Sequence, residues 1–187
     1  MKTAYFKSFF VLFFLMAIPV MAGEGRVSKG VYTAPTGHFT VKYPLKKSNY
    51  FKFQKSSEKE AVIFSEKNYF ANDGLWMAGF LFNPNLKLTL EQFKKGAQKE
   101  LTNIPGHYGL DNSTLRSSKE FTVNGRPAVQ YNYTGMNTIH PAVLISTLIL
   151  NEDSSITFVD LLFKALNRES SHFLERYESF LQSFQKR

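Results

Sequence analysis

Asp160 is the residue whose setting most invites chemistry. It lies between Val159 and Leu161, inside the apolar run SITFVDLLF at 155–163. A carboxylate buried in such a strand needs a partner or a raised pKa, and that is the environment in which acid–base groups are tuned. The plainer expectation is that Asp160 faces a sheet edge, or pairs with a Lys, an Arg or a backbone N–H. A general acid also needs neighbours, and the sequence does not identify them.

Other chemistry is sparse. His38, His107, His140 and His172 lie far apart with no ligand spacing. His107 and Asp111 flank Tyr-Gly-Leu and could place two ligands on one loop, but a solvent-exposed loop is the simpler reading. The chain has no Gly-x-Ser-x-Gly elbow, no His-Glu-x-x-His helix, no phosphate loop and no dinucleotide glycine run. It has no cysteine, hence no disulfide and no lipid-attachment thiol. No metal and no cofactor is expected.

Lysines 42, 46, 47, 52, 55 and 59 interleave with Tyr43, Tyr50, Phe51 and Phe53. Such mixtures can stack bases and contact phosphates. Glu58 and Glu60 dilute the patch, and a leader-like start argues against a nucleic-acid partner. Residues 45–60 are therefore expected to form a long solvated loop with a short strand option at 50–53. Lys46, Lys47, Lys52 and Lys55 are its binding candidates, towards an acidic protein face or anionic headgroups. Asn112 and Asn132 begin glycosylation sequons, which matter only in a eukaryotic source.

Lys2 and Lys7 precede the apolar stretch FFVLFFLMAIPVMA, which ends in small residues. This pattern fits a signal peptide (1–22) cut after Ala22, giving a periplasmic or secreted chain. The alternative is an uncleaved membrane anchor, although a run of about 14 residues is short for a span of about 20. Residues 23–30 read as a flexible mature terminus and 31–187 as one domain. Of 23 Lys and Arg, two lie in the leader; the remaining 21 face 15 Asp and Glu, a formal charge near +6. That excess suits weak attraction to anionic surfaces and names no partner.

The elements that must position these residues are mostly strands. YTAPTGHFTVKYP (32–44) reads as strand, turn, strand. EAVIFSEK (60–67) and LWMAGFLF (75–82) read as strands joined through Asn72-Asp73-Gly74. Thr89 with Gln92 makes a capping box, Leu88 with Phe93 a staple, and Leu90, Phe93, Ala97 and Leu101 an apolar stripe, so 88–101 is a predicted helix ended by Pro105-Gly106. Asn124-Gly125 marks a hairpin. A two-residue loop there pairs Val123 with Arg126; a three-residue loop, Val123-Asn124-Gly125, brings Phe121, Val129, Tyr131 and Tyr133 together and is preferred. AVLISTLIL (142–150) reads as a central strand covered on both faces and 155–163 as its partner. Phe173, Tyr177, Phe180, Leu181 and Phe184 recur at helical spacing over 169–184, with Glu169 and Lys186-Arg187 at the ends the macrodipole favours.

Three stretches in this order carry a resemblance. Pro35-Thr36-Gly37-His38-Phe39-Thr40-Val41-Lys42-Tyr43-Pro44 is similar to the opening "P-x-G-F-x-x-x-Y-P" strand of the PsbP/DcrB-like superfamily. Asn124-Gly125-Arg126-Pro127-Ala128 resembles its central hairpin, and Phe180-Leu181-Gln182-Ser183-Phe184 the end of its final helix. The resemblance implies a single-domain α+β fold, an antiparallel β-sheet flanked by helices in an α/β/α sandwich. It also implies an exported, mostly non-enzymatic protein, although the tryptophan that often follows the first Tyr-Pro is missing. Two function classes follow: a non-catalytic envelope domain that binds a protein or another envelope component, and an exported enzyme or small-ligand binder with a pocket near Asp160. A pocket of converging polar groups around Asp160 favours the second; a flat or basic surface without one favours the first.

Overall fold

The computed structural model describes residues 23–44, 50–65, 74–82, 87–165 and 170–187. The leader, Lys46, Lys47, the Asn72-Asp73 part of the second turn and Glu169 lie outside them. The order of elements is β1 Arg26–Ser28, β2 Val31–Thr33, β3 Phe39–Lys42, β4 Tyr50–Lys55, β5 Lys59–Ser65, β6 Leu75–Leu81, α1 Leu90–Glu100, α2 Ile104–His107, β7 Leu110–Val123, β8 Arg126–Asn137, β9 His140–Leu150, β10 Ile156–Lys164, α3 Ser170–Ser183 and β11 Gln185–Lys186.

Two antiparallel sheets result, one in the order β4-β5-β6-β10-β9-β8-β7 and a smaller one in the order β1-β2-β3-β11. The expected α+β sandwich is the fold observed. The seven-stranded sheet buries both faces along its central strands, while edge strand β7 is exposed over residues 111–120. On one side Phe64, Trp76, Phe80, Val159, Leu161 and Phe163 pack under α3 and the small sheet. On the other, Val129, Tyr133, Leu144, Leu148 and Phe158 pack under α1 and α2. Continuous apolar runs such as 142–150 follow from this: a strand with core on both sides has no face left for polar residues.

The same two-sided burial settles the hairpin. Val123 pairs with Arg126 and Phe121 with Ala128, so the loop is the two-residue Asn124-Gly125 form, with φ of 50° and 77°. Phe121, Val123 and Ala128 pack towards α3, while Val129, Tyr131 and Tyr133 pack towards α1. The preferred three-residue loop assumed that all apolar residues must share one face. With core on both faces they need not, and the turn with two left-handed residues matches the sheet twist.

Helix α1 starts as its sequence dictates. Thr89 Oγ1 accepts from the Gln92 N–H at 3.2 Å, and the Gln92 side chain accepts from the Thr89 N–H at 2.9 Å. The buried stripe is rotated from the expected one: it comprises Phe93, Gly96, Ala97 and Glu100, while Leu90 is 45% exposed. Pro105 occupies the first turn of α2, where its missing N–H costs nothing.

Three further expectations change. Residues 23–30 were read as a flexible start, yet Arg26–Ser28 form β1, paired with β2. Of the expected loop at 45–60, residues 45–49 lie outside the described residues, and the optional strand at 50–53 extends to Lys55 as β4, paired with β5. Lys186 belongs to β11, beside β3, and its Nζ binds Asp153 and Ser155 instead of capping α3.

Candidate functional site

Asp160 sits at the middle of the sheet. On β10 it faces Ser146 of β9 and Met77 of β6, so neither neighbour is an edge. Strand alternation places it with Phe158 and Leu162 on the α1–α2 side, 3% exposed. Its partner is one the sequence did not offer: the Tyr108 hydroxyl donates to Asp160 Oδ2 at 2.5 Å. Tyr108 follows α2 directly, and Gly109 at φ +60° turns the chain into β7, so the one-turn helix aims the ring down at the sheet.

Around this contact lies a cavity with about 20 Å³ of free volume, enough for one water. Glu100, Ile104, His107 and Tyr108 line it from the helical layer; Ser146, Leu148, Phe158 and Asp160 line it from the sheet. Asp160 Oδ1 has no hydrogen-bond partner among the described residues. The Ser146 hydroxyl and the Thr147 N–H lie close enough to favour the charged form without reaching hydrogen-bond geometry to Oδ1.

Burial sets the electrostatics. It pushes the Asp160 carboxyl up to about 6, against the restraint of Ser146, Tyr108, the Lys59 charge and Thr147. Burial lowers Lys59 to about 8, although Asp160 pulls the other way; its Nζ rests 5.2 Å from the Phe158 ring centre. Glu100 is raised by burial, tempered by a hydrogen bond from Asn103, whose Nδ2 lies 3.2 Å from Oε2. His107 is lowered by burial and by Lys59. Converging titratable groups of this kind mark functional sites, yet the free volume beside them is only that of about one water. His107 and Asp111 do not converge, because Asp111 is exposed on β7, and no metal-binding cluster occurs among the described residues.

The lysine candidates separate. Lys52 and Lys55 are three residues apart on β4, so they point to opposite faces of the sheet. Lys52 is exposed, whereas Lys55 Nζ lies 3.1 Å from Glu60 Oε1. Glu60 is fully buried on β5; it also accepts from Thr36 Oγ1 at 2.7 Å and contacts His38 Nδ1 at 3.0 Å. This cluster fastens the β2–β3 turn to the large sheet. The sequence offers Glu60 both as diluting the basic patch and as the start of the strand 60–67, and its alternation with buried Val62 and Phe64 is the sign that it points inwards.

The two antiparallel sheets with helices on both faces of the larger one form a fold also seen in solved structures. Solution-structure coordinates of the cyanobacterial PsbP (CyanoP) from Synechocystis sp. PCC 6803 superpose with a TM-score of 0.56 at 13% identity, covering 84% of this chain and 91% of that one. The Ran-binding protein Mog1p of Saccharomyces cerevisiae superposes at 0.50 with 11% identity, covering 83% and 94%. At such identities the likeness is one of fold. No family model and no curated protein matches the chain.

Proposed function

We propose that the chain is a non-catalytic binding domain that works after export, on a protein or an anionic component of the cell envelope. The observation that carries this reading is the narrow Asp160 site: the most perturbed carboxylate among the described residues is hydrogen-bonded by Tyr108 in a cavity with about 20 Å³ of free volume. Catalysis needs reacting atoms within reach of the acid, and about 20 Å³ leaves room there for a water-sized group. The composition of residues 1–22 supports export, and the fold carries protein binding in the neighbour named for Ran. The contact residues are Lys46, Lys47 and Lys52, of which Lys52 is exposed on β4. Lys55 contributes less, because its charge is engaged by Glu60.

The test is retention of residues 23–187 on anionic and on neutral phospholipid vesicles and on envelope extract, at low and high salt. Exposed charges act over a Debye length of about 8 Å at physiological salt, so retention should fall as salt rises. A variant with Lys46, Lys47 and Lys52 changed to Glu, and Lys55 kept, should lose it. Equal, salt-independent retention of both proteins would refute the surface assignment.

A further inference from the structure

The cavity under α2 has a feature that a purely structural role leaves unexplained. Asp160 is more than nine-tenths buried, its Oδ2 is satisfied by Tyr108, and its Oδ1 has no hydrogen-bond partner among the described residues. A buried acceptor left without a donor is costly, and more so for a carboxylate. A second acid, Glu100, enters the same space from α1, itself 6% exposed. Beside Tyr108, the remaining wall is apolar at Ile104, Leu148 and Phe158 and polar at Ser146 and His107. Lys59 is close enough to be felt electrostatically by both Asp160 and His107, but it does not line the cavity.

We propose that this cavity is a binding site for a primary ammonium group, held by Asp160 Oδ1 on the sheet and Glu100 on α1. Size and chemistry agree. About 20 Å³ of free volume accepts one water-sized group, and an ammonium centre is of that size. It carries the N–H donors that Oδ1 lacks, and its charge offsets that of the carboxylate, the condition under which a buried charge is tolerated. A sodium ion supplies no N–H, and a quaternary ammonium is too large and has none. The shared chemistry covers a free ammonium ion and the end of a short alkylamine; the second requires α2 to lift so that the tail can pass Ile104. Because Asp160 titrates near 6, occupancy should weaken below that pH. Lys59, Glu100, His107 and Tyr108 face the same carboxylate and set its field, and loss of the Lys59 charge above about 8 should strengthen binding.

The site is separate from the lysine surface, so its failure leaves the surface reading standing. The experiment compares melting midpoints of residues 23–187 at pH 7.5 in ammonium, methylammonium, sodium and tetramethylammonium chlorides at equal ionic strength. Ammonium should raise the midpoint by about 2 °C or more over sodium, by linkage to the folded state. A methylammonium effect equal to that of ammonium identifies an amine terminus as a ligand; an ammonium effect alone identifies the free ion. Tetramethylammonium should match sodium. Asp160→Asn should abolish the difference, and Ile104→Phe, which fills the cavity from the helical side, should do so independently. An identical midpoint in all four salts, or an ammonium effect that persists in both variants, overturns the proposal.

Discussion

Asp160 is held in a form that costs stability. Burial lifts its folded-state pKa to about 6, against an ordinary value of 3.8. With the folded value above the unfolded one, the folded chain takes up the proton more readily, so stability rises as pH falls from above 6 towards 3.8. Asp160→Asn preserves shape and an acceptor for Tyr108 without the charge. It is expected to stabilise the protein at pH 7 by roughly 2–3 kcal/mol and to remove its share of the slope between pH 6 and 4. Urea unfolding of both proteins at pH 7 and 4.5 checks this; a destabilised Asn variant at pH 7 would mean that the surrounding donors outweigh burial. Tyr108→Phe acts oppositely. It strips the donor from Oδ2 and should cost about 2 kcal/mol at pH 7, with a smaller loss at pH 4.5 where the carboxyl is neutral. An equal loss at both pH values would reduce the tyrosine to a packing role. Asp160 was legible as an oddity because a charge stood in an apolar run. Tyr108 was not, because it lies 52 residues away and nothing local marks a hydroxyl that α2 will aim inwards.

Among the elements, turns and caps were readable wherever a local reason existed. The Thr89–Gln92 capping box and the spacing of Phe173, Tyr177, Phe180, Leu181 and Phe184 gave α1 and α3, and all five of those residues are buried. The Asn124-Gly125 turn was readable, but its register was not, since register depends on which faces are covered. Gly125 has φ +77° and open space around a would-be Cβ, so Gly125→Ala carries backbone strain alone and should destabilise by about 1 kcal/mol. An unchanged melting midpoint would contradict the left-handed turn. β4 was half-visible: polar lysines at alternate and opposite positions hid a strand whose Phe51 and Phe53 face the core. Gly79 on β6 shows the reverse case, a residue with no local signal. An added Cβ would sit 2.2 Å from the Glu60 carbonyl oxygen, so the close approach of β5 and β6 requires glycine there.

At the scale of the molecule, each face of the seven-stranded sheet has its own buried polar network. Under α1 and α2 it is Asp160 with Tyr108. Under α3, Gln130 Nε2 donates to Thr147 Oγ1 at 2.9 Å, Thr147 meets the Tyr177 hydroxyl at 2.7 Å, and Tyr177 donates to the Val159 carbonyl at 2.7 Å. The layered α+β architecture was visible from the element order, whereas the small sheet was not. It joins three short strands near the start to two residues at the end, and a pairing of Gln185 with Thr40 leaves no local trace. The central claim is that attachment to the envelope resides on Lys46, Lys47 and Lys52 and does not depend on the Asp160 cavity or on any small cation held there. Its most direct measurement is salt-dependent retention on anionic vesicles and envelope extract for the wild type, Asp160→Asn, and the Lys46, Lys47, Lys52 to Glu protein, each first shown to be folded. Asp160→Asn should be retained like the wild type at both salts, and the lysine variant should be lost at low salt. Retention by the lysine variant together with loss in Asp160→Asn would contradict it.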